Sequence, residues 1–141
     1  MAIDSRMRRD RHDRGLSGPV LPHNAPFHKS PDQFFIHHMD QALTEYEHRL
    51  GDRLTKISVA IEPVPSERDF VISQGVVPLG RIERGNPSLI VLYQRPIEMR
   101  GQDSQRLVRV LRDVLAELIA RVLGLEPFDV DPDYLGPQFR D

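Results

Sequence analysis

The residues of this chain that could do chemistry at a defined spacing lie between Arg109 and Arg121. Arg109 and Asp113 stand four apart, Glu117 follows four later and Arg121 four after that. On an α-helix such positions share one face. The simpler use of that face is a solvated ladder that pairs with itself. Glu117 precedes Arg121, the favourable order for a helical ion pair, worth roughly 0.2–0.5 kcal/mol when exposed. The alternative is a polar groove in which Arg121 takes a carboxylate or a peptide C-terminus, because a planar guanidinium matches a carboxylate at two points. Arg81, Glu83, Arg109 and Asp113 are the further candidates for groove or partner contacts.

Other chemistry finds little support. There is no Cys, hence no disulfide, thiolate nucleophile or thiolate metal site. No Ser sits in a Gly-x-Ser-x-Gly elbow, and no Gly-rich loop could cradle a phosphate. His37 and His38 are adjacent and point to different faces, and His12, His23 and His28 have no ligand spacing. His38 falls on an apolar stripe and is expected to be partly buried. Glu62, Glu67, Asp69, Glu83 and Glu98 read as strand-end or loop charges. No catalytic residue, metal ligand or cofactor is assigned.

The elements that must position these residues follow from apolar periodicity. Residues 1–30 mix Arg with Asp and then run into Gly, Pro and His, so they are expected to form a flexible or surface-draped arm. Ser30-Pro31-Asp32-Gln33 has the form of a capping box. Phe34, Phe35, His38, Met39, Ala42, Leu43, Tyr46 and Leu50 then recur at helical spacing until Gly51. Lys56–Ile61 alternates as a strand, Phe70–Val77 is ambiguous and Leu79–Glu83 is weakly strand-like. Ser88–Gln94 is apolar almost throughout, which predicts a central strand covered on both faces. Arg100–Asp103 links it to a second helix, capped by Asp103 or Ser104, whose stripe runs through Leu107, Val108, Leu111, Val114, Leu115, Leu118, Ile119 and Val122. Gly124-Leu125 predicts a Schellman ending, and Glu126–Asp141 carries three Pro and no helical period.

The whole is expected to be an α+β domain of two layers over residues 31–136, with an N-terminal helix, a sheet of three to four strands and a C-terminal helix, and a tail at 137–141. At 141 residues the chain fits one core. A net charge of −2 gives no general reason to expect nucleic acid or an anionic membrane as partner. No apolar run approaches the roughly 20 residues of a membrane span, and the N-terminal Arg residues precede no apolar signal segment. The expected location is cytoplasmic.

A zinc hydrolase of the zincin type carries His-Glu-x-x-His on a helix followed by a Gly turn: two imidazoles on one face, and a carboxylate to take a proton from metal-bound water. With Gly124 as anchor, this chain resembles the small bacterial zincin-like metallopeptidase family over residues 32–131. Val114-Leu115, Ile119, Ala120, Gly124 and Leu125 match the scaffold of its motif. Glu117 stands at the first His, Leu118 at the general-base Glu, Arg121 at the second His and Pro127 at a later acidic position. Leu79–Gly85 is similar to the family's Leu-Gly-x-Tyr-x-Gly strand. Ile90–Glu98 is similar to its strand ending in Arg-Pro-Ile-Glu, and Arg8–Gly15 to the opening of actinobacterial members that have also lost the motif.

What the resemblance implies is a minimal zincin-like fold without its zinc. The protein is then expected to be a non-catalytic binding or scaffold module whose partner, a protein or peptide, docks by edge-strand addition or in the groove, with the module a monomer or homodimer. The alternatives are a metallopeptidase or hydrolase with ligands recruited from elsewhere, and a nucleic-acid-associated protein acting through the arm. Interleaved Asp residues and the lack of a stacking aromatic weigh against the last. On this alignment Glu117 and Arg121 are expected within ion-pair reach on the face toward the sheet, and Leu118 is expected to be buried.

Overall fold

The computed structural model describes residues 7–9, 31–68 and 78–140. The cap expected at Ser30 and the segment Phe70–Val77 therefore lie outside the described residues. Strand β1 (Met7–Arg9) is followed by helix α1 (Pro31–Leu50), a 3₁₀ turn (Gly51–Lys56), β2 (Ile57–Glu62), β3 (Gly80–Glu83) and β4 (Ser88–Tyr93). Helices α2 (Gln94–Gly101) and α3 (Ser104–Leu123) come next, then two single turns, α4 (Pro127–Val130) and α5 (Pro137–Arg140).

The fold is α+β. The sheet has the order β1-β2-β4-β3. β2 and β4 pair in parallel from Ile57 opposite Ser88 to Glu62 opposite Tyr93, and β3 and β1 add antiparallel at the two ends. β4 is buried along its whole length, as its unbroken apolar run requires. One sheet face, carrying Ile57, Val59, Ile61, Ile90 and Leu92, shares the main core with α1 and α3. The other buries Ala60, Leu89, Val91 and Tyr93. On α1 the predicted stripe turns inward through Phe35, Met39, Ala42, Leu43, Tyr46 and Leu50. No helix among the described residues is long and apolar enough to cross a membrane.

Three features depart from expectation. Part of the arm, Met7–Arg9, forms a strand against Val59–Ile61. The segment similar to a strand ending in Arg-Pro-Ile-Glu leaves the sheet at Tyr93 and turns into α2, with Pro96 in its first turn, where a missing N–H costs nothing. The Gln94 amide donates to Asp32 Oδ1 of α1 at 2.8 Å and to Glu98 Oε2 at 2.9 Å. The Pro-rich tail is built of helical turns that begin at Pro127 and Pro137, too short to show a period.

Candidate functional site

Helix α3 carries the motif positions, and both its ends are fixed locally. Asp103 Oδ1 accepts the N–H of Arg106 at 2.8 Å, the N-cap read from the sequence. Gly124 adopts the left-handed conformation at φ 73°, and the Leu125 N–H returns to the Ala120 carbonyl at 2.9 Å, the long bond of a Schellman ending. Pro127 opens α4, inside a capping box made by Glu126 and Asp129.

Leu118 is buried, as expected, and it lies against β3. A Cβ placed on Gly80 would come within 2.8 Å of Leu118 Cδ1 and 2.7 Å of the Val91 carbonyl oxygen. Only a glycine lets the strand approach the helix this closely. The position aligned with a general base is thus an apolar plug beneath the outer strand.

The charged positions behave differently from the expectation. Glu117 does not form its ion pair with Arg121. Its carboxylate accepts from the Tyr134 hydroxyl in the tail, while Arg121 stands exposed at the last turn. Arg109 and Asp113 do pair, at 2.8 Å, but not on a solvated face. The Asp113 side chain is 0% exposed and also accepts the N–H groups of Leu135 (3.2 Å) and Gly136 (3.1 Å). Arg109 bridges to Asp131 at 2.8 Å, and Tyr46 of α1 donates to the same carboxylate at 2.5 Å. Arg112 joins it at 3.4 Å and reaches across to Glu45. Farther up the helix Arg106 stacks on Phe139 and donates to its carbonyl. The ladder that looked solvated is the seat of the C-terminal tail.

Burial alone would disfavour a charged Asp131. The Tyr46 hydroxyl, the Arg109 guanidinium and the Asp133 N–H outweigh it and hold the carboxyl down to about 2. In Asp113 the balance is reversed: desolvation pushes its pKa up against the opposing pull of Arg109 and the two backbone donors. Burial and then the Asp131 carboxylate keep the Tyr46 hydroxyl protonated.

Arg81 and Glu83 lie elsewhere. Register places Arg81 opposite Val91, hence on the sheet face away from Gly80 and α3. There Arg81 donates to the Tyr93 hydroxyl at 2.8 Å and to Glu62 Oε1 at 3.3 Å, and also pairs with Glu83. The four candidate contact residues therefore form two separate clusters rather than one groove. No local pattern marks Tyr46, Asp131 and Tyr134 as partners, because each pairing joins segments more than fifteen residues apart.

These clusters hold charge in matched sets and bind neighbouring elements together. Among the described residues no three His, Asp or Glu side chains converge as a metal site. His38 is half-buried and packs on the Phe34 ring at 4.4 Å, whereas His37 and His48 are exposed. Comparison of the chain with family models, curated proteins and solved structures found no match.

Proposed function

We propose that this is a zincin-like protein of the small bacterial metallopeptidase family that has lost its zinc ligands and serves in the cytoplasm as a non-catalytic module, binding an extended protein segment along β3. The observation that carries the reading is the outer edge of that strand. The Tyr93 N–H bonds to the Leu79 carbonyl at 3.0 Å, which sets the alternation of the antiparallel pair. Leu79, Arg81 and Glu83 therefore direct their backbone groups toward β4, and Gly80 and Ile82 direct theirs away from it. An incoming strand needs those outward groups and no metal. Leu118 beneath Gly80 supports the same reading, since an apolar side chain at the aligned base position cannot take a proton.

The test is capture of partners from the native host by the full chain, compared with Ile82→Pro. Proline removes an outward N–H while remaining tolerable on an edge strand. A partner lost by Ile82→Pro, with the circular dichroism unchanged, supports strand addition; a partner retained refutes it. Near-stoichiometric zinc in protein purified without a His tag and supplied with zinc would overturn the non-catalytic reading.

A further inference from the structure

We infer that the cleft between the 3₁₀ turn, the β3–β4 turn and the end of α3 binds the phosphate group of a small phosphorylated molecule. The cleft measures about 330 Å³. Arg53 and Lys56 line it from the 3₁₀ turn, Arg84 and Asn86 from the β3–β4 turn, and Val122 and Leu123 from α3. Three cations thus face one concavity to which, among the described residues, no carboxylate contributes.

Three arginines elsewhere, Arg81, Arg109 and Arg112, are each bonded to carboxylates. Among the described residues, none of Arg53, Lys56 and Arg84 forms such a pair. The carbonyl end of α3 offers them only about half a negative charge, so roughly two and a half positive charges stay uncompensated. Like charges gathered around one cavity repel, and an anion between them removes that cost.

Phosphate suits the site better than carboxylate. Cations from two separate elements line the cleft, which matches an anion with several terminal oxygens and up to two charges. The volume lies at the low end of ligand cavities, which run from about 300 to 1,000 Å³, so the ligand body is compact. Val122 and Leu123, both half-buried, give it an apolar wall. A polynucleotide would need a continuous basic track, whereas these three cations line one open cleft on a chain of net charge −2.

Calorimetry and amide NMR of the full chain with inorganic pyrophosphate, at constant ionic strength, test this. Saturable one-to-one binding is expected, with shifts confined to residues 51–56, 84–88 and 122–124. Arg53→Ala/Lys56→Ala/Arg84→Ala should weaken it by at least about tenfold, and Arg84→Glu alone by a similar factor, because each charge-assisted contact is lost or reversed. Arg68→Ala/Arg95→Ala, distant exposed cations, should leave it unchanged. All these side chains are exposed, so the variants keep the fold. Binding that never saturates, binding indifferent to the cleft variants, or a single-stranded RNA oligonucleotide that outcompetes pyrophosphate at the same residues would each overturn the inference.

Discussion

Asp131 draws a tyrosine and two arginines to one carboxylate that is 3% exposed, and its protonation should therefore govern acid stability. Its folded pKa of about 2 lies below the ordinary 3.8, so the unfolded chain binds the extra proton between those values. The stabilisation is thus complete above about pH 4 and disappears as the pH falls toward 2, amounting to about 2 kcal/mol. Asp131→Asn should lower stability in urea at pH 7 by about that amount and flatten the pH dependence between 4 and 2. Asp113 works the other way: its raised pKa means that ionisation costs more in the folded state, so its contribution declines as pH rises above the ordinary carboxylate value. A wild-type acid limb that stays unchanged in Asp131→Asn would show that the network does not carry this charge. Gly80 gives a second residue-scale expectation. Gly80→Ala should destabilise by about 1–3 kcal/mol through overpacking. Leu118→Ala in the same chain should relieve only part of that, because the Val91 carbonyl also blocks the new Cβ.

At the scale of elements, the C-terminal tail behaves as part of the core. Truncation after Val130 would strip Arg109 of Asp131, Asp113 of two N–H donors, Glu117 of the Tyr134 hydroxyl and Arg106 of Phe139. Leaving Asp113 and Arg109 to water and to each other should cost about 3–5 kcal/mol in urea unfolding, the penalty of breaking a buried ionic set. A loss under about 1 kcal/mol would reduce the tail to a surface segment of little consequence. The same elements mark the limit of what the sequence discloses. α1, α3 and β4 announce themselves through long periods or an unbroken apolar run, and Asp103 and Gly124 through their residue types. α2, α4 and α5 span too few residues for a period to register. The ladder from Arg109 to Glu117 has the same spacing whether water or a tail covers it, so its burial depends on Asp131 and Tyr134, which no local pattern links to it. The weak strand pattern of Leu79–Glu83 carries Arg81 and Glu83, but the face they occupy follows from register with Val91.

Taken as a whole molecule, the layers are tied by contacts that cross them. Tyr46 joins α1 to Asp131 in the tail, Asp131 joins both to α3 through Arg109, and Leu118 joins α3 to the outer strand at Gly80. No layer can open without exposing a buried charge or an apolar face, which favours a single cooperative transition. The chain offers a direct test, having three Tyr and no Trp. Tyr46 reports on the ionic network, Tyr93 on the far face of the sheet, and Tyr134 on the tail. Tyrosine fluorescence and far-ultraviolet circular dichroism should therefore give the same urea midpoint, and single Tyr→Phe replacements should remove signal without splitting the transition. Tyr46→Phe, which deletes a donor to a buried carboxylate, should also lower the midpoint, by about 1–3 kcal/mol in free energy. A Tyr134 signal that is lost at lower urea than the helical signal would mean that the tail opens independently. The seat on α3 would then be free to accept another segment with Asp131's chemistry, an acidic group presented beside backbone N–H donors.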